Sequence, residues 1–442
     1  MSETAQTAAG ERVLKRDSLL TRVEGEGGVY VRWEQDRLAE VRLDIFEPPR
    51  FFEAFLRGRH LHEVPDITAR ICGICPVAYQ MSSVHALEAA LGIVISPAIR
   101  RLRRLLYCAE WIQSHALHIY LLEGPDFLGY ESALSLAKDH PELVERGLRL
   151  KKVGNDLLEV LGGRATHPVS VCVGGFYKTP RRKELMALHE SLVWGLEAAR
   201  TTARWAAQLT LPELTADYEF VALSHPDEYP MNEGRIVSSS GLDLTAAEFE
   251  RHFLELQVAH STALHSVRTE NATSYLVGPL ARLNLNRERL APQAREVAHS
   301  SGLSFPLRNP FAMIIARSLE MLHAFEEALS IVESYEEPAQ SAVECKVRAG
   351  EGCAATEAPR GLLYHRYRVN ERGLVDFAKI VPPTAQNLRR IEDDLRLLLP
   401  RLKEASDEEM LAACENLVRA YDPCISCSTH FLKLTIDRSP RP

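Results

Sequence analysis

The chain has 442 residues, of which 46% are apolar and 25% charged, with a net charge of −8. That is the composition of a soluble globular protein with a sizeable core, and its acidic balance gives general nucleic-acid binding no electrostatic support. No apolar run reaches the roughly 18 residues of a membrane span.

The polar start, residues 1–11, lacks the charged and apolar regions of a secretory signal and reads as a flexible tail. Residues 29–35 and 38–45 alternate apolar and polar side chains around a short polar break, which predicts a hairpin. Ser96 and Pro97 then cap and open a helix with the stripe Ile99, Leu102, Leu106, Ala109 and Ile112. The run Arg100, Arg101, Arg103 and Arg104 on it reads as a solvated face. Further helical periodicity covers 141–162, 182–210, 246–267, 310–335, 384–399 and 406–420. Residues 216–223 read as short β or irregular structure. A second hairpin is predicted at 362–381, turning at Asn370-Glu371-Arg372-Gly373. The expected class is mainly α with small β elements (α+β). It is a large helical body with an N-terminal β-hairpin region and a second small hairpin near 362–381, in one unit spanning 1–442.

Nine cysteines, an odd number with no dense framework, argue against a disulfide scaffold. Five lie singly and read as buried packing. The other four form two C-x-x-C turns, Cys72-Gly73-Ile74-Cys75 and Cys424-Ile425-Ser426-Cys427. Each turn can aim two sulfurs at one metal, and a helix starting after the first favours thiolate. With His430 following the second turn, a structural zinc held by four cysteines, or by three and the histidine, is one reading. Zinc ribbons usually separate their pairs by about 15–20 residues, whereas here most of the chain intervenes. Four thiolates equally suit a soft metal such as nickel, or an iron–sulfur cluster.

The flanks of both turns resemble the large subunit of nickel–iron hydrogenases. Arg70-x-Cys72-Gly73-x-Cys75 looks like the first signature of that family, and Asp422-Pro423-Cys424-x-x-Cys427-x-x-His430 like its last. Between them, in the family's order, stand blocks that also match. They are Thr21-Arg22-Val23-Glu24-Gly25, Ser114-His115-Ala116-Leu117-His118, Gly162-Gly163-Arg164 with His167-Pro168, Glu357-Ala358-Pro359-Arg360-Gly361 and Pro382-Pro383-Thr384-Ala385-Gln386-Asn387. The style of the blocks is most similar to the cytosolic, cofactor-coupled branch, and within it to the alpha subunit of NADP-linked hydrogenases, or sulfhydrogenases. Tyr79 stands where the family often has histidine, and Ser114 where some members have an acid.

The resemblance implies one large-subunit domain and reversible heterolytic cleavage of hydrogen to protons and electrons. Cys72 and Cys424 would be terminal ligands of nickel. Cys75 and Cys427 would bridge to an iron bearing carbon monoxide and two cyanides. Cys424 would take the first proton and Glu24 would carry it onward. Arg360 would lie over one cyanide, with Asp422 orienting it or a nearby water, and Thr384 and the backbone at Pro383 would hold the other cyanide. Glu53, the carbonyl of Ile380 and His430 would hold magnesium. His115 and His118 read as core histidines instead.

In the family a protease removes a C-terminal extension after nickel loading, which here would be 431–442, cut after His430. The chain has no other cysteine cluster or dinucleotide fingerprint to carry electrons away. The implied partners are therefore an iron–sulfur small subunit and FAD-bearing, NAD(P)-reactive diaphorase subunits, with a maturation protease and nickel-insertion proteins, in the cytoplasm. Two readings compete: a non-catalytic zinc-stapled protein, and the quinone-module subunit of respiratory complex I, which shares the fold's ancestry but lacks the cysteine quartet.

Overall fold

The computed structural model describes residues 11–15, 20–34 and 37–429. The expected N-terminal tail lies outside these, except Glu11, which begins a strand. Strands β1 (Glu11–Lys15), β2 (Gly27–Glu34) and β3 (Arg37–Ile45) form an antiparallel sheet in that order. The predicted hairpin is its β2–β3 half.

A helical body follows. Helix α1 (Pro76–Leu91) starts immediately after Cys75, and α2 (Pro97–Leu117) starts as expected, with Ser96 accepting the N–H of Ile99. Helix α3 (Pro141–Gly162) packs along α2. The helix expected over 182–210 is broken after Met186 and resumes as α4 (His189–Ala206). After β4 (Val221–Ser224) and its partner β5 (Arg235–Ser238), the predicted helix at 246–267 is replaced. One helical turn, Phe249–His252, leads into β6 (Phe253–Leu256), which pairs with β7 (His265–Arg268). The Thr245/Glu248 capping box does start a helix there. Aromatic packing ends it: Phe249 stacks on Tyr364 at 4.4 Å between ring centres, and Phe253 meets Tyr275 at 4.8 Å. Tertiary contact overrides local periodicity here.

Helix α5 (Pro279–Asn286) precedes α6 (Met313–Glu333), which packs between α2 and α4. Strands β8 (Gly350–Ala358), β9 (Gly361–Val369) and β10 (Val375–Val381) form a second antiparallel sheet. Its β9–β10 half is the second predicted hairpin. The third strand, β8, is poor in branched and aromatic residues and so gives no strand signal. It is nevertheless buried against α1, so this sheet belongs to the core and not to an edge. Helices α7 (Pro383–Leu398) and α8 (Asp407–Ala420) complete the body. Among the described residues no helix is long and apolar enough to cross a membrane.

The basic run on α2 is a solvated face only at Arg101, with Arg100 half-buried and Arg103 and Arg104 buried. Arg103 is fully buried and holds Glu88 through two bonds of 2.6 and 2.8 Å. Arg104 donates to the Tyr229 carbonyl at 2.7 Å and to Glu327 at 2.9 Å. Most of α2 is buried, and a buried guanidinium keeps its charge only when paired.

Against the cost of burial, Arg104 and His323 hold the Glu327 carboxyl down to about 2, below its ordinary 4.5. A depressed acid stabilises the fold above its unfolded value and loses that contribution as pH falls through the folded one. Glu327→Gln should therefore cost about 1–3 kcal/mol near neutrality. Its unfolding midpoint should converge with wild type as pH falls from 4.5 toward 2, as followed by circular dichroism.

Candidate metal centre

The two cysteine turns meet although nearly the whole chain separates them. Cys75 caps α1 and Cys424 caps the single turn Ile425–Ser428. Parallel bridging joins Glu24 to Cys424, and the N–H of Ile425 donates to the Glu24 carbonyl at 3.0 Å. Arg50 ties the turns together from the other side. Its guanidinium donates to the Ile71 carbonyl at 2.6 Å and to the Ser426 carbonyl. The sulfurs of Cys72, Cys75, Cys424 and Cys427 all lie within 4.8 Å of one another, are buried and form no disulfide.

Four buried thiols this close cannot all ionise unaided. Against the cost of burial, hydrogen bonds from Cys424, Cys427 and Cys75, with the Arg360 charge, hold the Cys72 thiol well below its ordinary range. Burial, reinforced by the neighbouring sulfurs, pushes Cys424 well up. The backbone N–H groups of Ile74 and Cys75 donate to the Cys72 sulfur at 3.4 and 3.1 Å. The pocket stabilises one thiolate by itself, and a soft cation would complete the rest.

Glu24 reaches this cluster directly. Its Oε2 accepts from Cys424 Sγ at 3.0 Å and from the Ser426 N–H at 3.1 Å. Gly25 makes that approach feasible. It sits at φ +89°, and a Cβ there would lie 2.7 Å from the Ile425 Cβ and 2.9 Å from the Ser426 nitrogen.

Arg360 occupies the tight turn between β8 and β9. Its Nε donates to the Asp422 carbonyl at 2.7 Å and its Nη2 to the Asp422 carboxylate at 2.9 Å. Its third nitrogen, Nη1, is buried with no protein partner. Asp422 takes a left-handed φ of 52° to offer both oxygens. Gly278 gives the turn room, since a Cβ there would meet the Arg360 carbonyl at 2.7 Å. Thr384, in the first turn of α7 after Pro383, accepts the Cys424 N–H at 3.0 Å on its hydroxyl. These donors fit a metal centre carrying small anionic ligands. The sulfurs supply soft coordination, and Nη1 of Arg360 is an orphaned donor that a cyanide nitrogen would satisfy.

Glu53 and Ile380 also come together, but through the Ile380 N–H, which donates to Glu53 Oε1 at 2.8 Å. Burial pushes the Glu53 carboxyl up to about 7. His430 and the segment 431–442 lie outside the described residues. His115 and His118 are core groups: His115 lies 3.1 Å from Glu320, and His118 meets the Arg419 carbonyl at 2.8 Å.

Several supporting residues escaped the sequence reading. Besides Arg50, Glu110 accepts the N–H groups of Val77 and Ala78 at 2.6 and 3.1 Å, securing the start of α1. Arg282 clamps Glu320 and Glu357 at 2.7 and 2.9 Å behind the Arg360 turn. Their signal lies in charged side chains bonded to distant backbone or to one another, which no local motif announces. Tyr79 contributes a buried hydroxyl with no partner. Burial, and then the charge of the cysteine sulfurs, raises it well above its usual range.

A buried thiol quartet on a mainly helical scaffold, with a carboxylate on one sulfur and a buried arginine nearby, is a site for a soft metal. The profile of the nickel-dependent hydrogenases matches residues 50–146 and 271–430. The chain is 34% identical over 94% of its length to the alpha subunit of sulfhydrogenase 1 from Pyrococcus furiosus, covering 97% of that protein. It is 27% identical over 93% of its length to the beta subunit of the NAD-reducing hydrogenase of Cupriavidus necator, covering 94% of it. In three dimensions it matches an NAD+-reducing [NiFe]-hydrogenase with a TM-score of 0.86 and 27% identity. That match covers 96% of this chain and all of the other. The chain belongs to the nickel-dependent hydrogenases, as a large, catalytic subunit that acts on hydrogen. This membership sets aside the zinc-staple and quinone-module readings.

Gly25→Ala should lower stability by more than the about 1–2 kcal/mol of left-handed backbone strain, because the Cβ also strikes the Cys424–Cys427 turn. Denaturant unfolding measures the first effect. Reduced nickel content of the purified complex measures the second.

Proposed function

We propose that the chain cleaves hydrogen heterolytically and reversibly, with Cys424 and Glu24 as the route by which the proton leaves. Cys72 and Cys424 would hold nickel terminally, and Cys75 and Cys427 would bridge it to iron bearing carbon monoxide and two cyanides. When bound, this centre supplies the Lewis acidity and redox change that polarise hydrogen. The observation that carries the reading is the 3.0 Å contact between Cys424 Sγ and Glu24 Oε2. A proton arriving on that sulfur needs no rearrangement to pass to the carboxylate.

Arg360 would donate from Nη1 to one cyanide, while Asp422 fixes its plane through the other two nitrogens. Thr384 accepts the Cys424 N–H and retains its own proton to donate to the second cyanide, beside the backbone at Pro383. Glu53, Ile380 and His430 would hold a magnesium ion. An oxygen-rich set suits that ion.

Electrons would leave through an iron–sulfur small subunit to FAD-bearing, NAD(P)-reactive diaphorase subunits. Likeness to sulfhydrogenase alpha and NAD-reducing hydrogenase subunits supports this coupling. NAD(P) chemistry in turn favours a cytoplasmic setting, where thiols stay reduced. Nickel-insertion proteins would load the centre before a maturation protease cuts after His430.

Glu24→Gln should retain nickel, iron and the infrared bands of metal-bound carbon monoxide and cyanide. It should lose hydrogen/deuterium exchange by roughly 100- to 10,000-fold. Wild-type exchange in that variant would refute the proton route. For maturation, the intact mass of active, nickel-loaded subunit should lack 431–442. An active subunit still carrying that segment would overturn the cleavage.

A further inference from the structure

Away from the thiol centre, three side chains from different elements converge beneath the β6–β7 hairpin. His260 lies in the hairpin loop, His265 opens β7, and Glu392 lies on α7. One ligand atom from each lies within 4.8 Å of the other two. His260 Nε2 is 2.7 Å from Glu392 Oε1, which also accepts the Leu43 N–H of β3 at 3.0 Å. His265 is only 1% exposed, and neither of its ring nitrogens has a hydrogen-bond partner. An imidazole so deeply buried ordinarily has one.

We propose that His260, His265 and Glu392 bind a divalent transition ion of the zinc class, separate from the thiol centre. Two imidazole nitrogens and a carboxylate oxygen form a three-ligand set that zinc accepts with a fourth position open. Burial pushes the His265 pKa down to about 4, so the ring is neutral and offers a lone pair. Arg389 and Arg396 also face this group. Arg396 is already engaged, 3.0 Å from Asp393 and 3.5 Å from Glu392. The outermost of the three, His260, borders a surface cleft of about 640 Å³ with Ile45, Phe46, Phe51 and Gln257.

The ion would pin the hairpin loop onto α7 and the N-terminal sheet. The loop already touches that sheet where Thr262 donates its N–H to the Ile45 carbonyl at 2.8 Å.

The test is Zn2+ uptake by the purified, nickel-loaded complex after chelator treatment, read by elemental analysis and by anomalous diffraction at the zinc edge. About one zinc per large subunit is expected, beyond nickel and iron. His265→Gln and the milder, partly exposed His260→Gln should each weaken zinc binding by at least the roughly 10- to 100-fold that follows loss of an outer-shell partner. Hydrogen oxidation per nickel should be unchanged. No uptake by wild type, uptake unaltered in both variants, or an anomalous peak elsewhere would overturn the proposal.

Discussion

The Glu24 carbonyl accepts the Ile425 N–H, and the Glu24 carboxylate meets the Cys424 sulfur. This double contact joins the first and last segments of the described chain, and the centre depends on it. It sets the register of the C-terminal turn against the N-terminal sheet, with Thr384 and Arg360 holding the turn from α7 and the β8–β9 turn. Arg50 repeats the closure from the opposite side by holding carbonyls of both turns. A metal site assembled from distant segments pays a large loop-closure entropy, and a preformed backbone frame lowers what the metal itself must supply.

Around that closure the protein arranges buried charge as a positioning device. Arg360 answers to Asp422, and Arg282 to Glu320 and Glu357. Arg419 and Arg22 both hold Asp126 beside the segment that leads to Glu24. Such pairs contribute little net stability compared with well-packed apolar residues, but breaking one strands a charge in the core. They therefore set side-chain geometry more than they add to stability. The proposed proton route, from the Cys424 sulfur to the Glu24 carboxylate, would require such fixed geometry.

The matching blocks acquire physical meaning in this frame. Asn387 accepts the Val277 N–H and donates to the Val277 carbonyl, while Gln386 donates to the Leu362 carbonyl, so α7 is locked to the Arg360 turn. His167 meets the Ala69 carbonyl, and Pro168 accepts from Gln80, bracing the first cysteine turn from behind. These residues are spread along the chain because the structure they brace is assembled from segments far apart in sequence.

Legible in the sequence alone were the helical body, both hairpins, the cap at Ser96 and the four cysteines that converge. Each of these rests on local periodicity, turn chemistry or a motif matched residue by residue. Only tertiary structure decided the rest. It cut the helix predicted over 246–267 short after His252 and made 253–268 a hairpin, with the Phe249–Tyr364 and Phe253–Tyr275 contacts, and drew β8 into the core. It buried Arg103 and Arg104, and brought Arg50 and Glu110 to the cysteine turns. It also left His265 without a partner beside His260 and Glu392. The reason is common to all of them: an isolated residue's chemistry shows in the sequence, but its partner, when it lies far along the chain, does not.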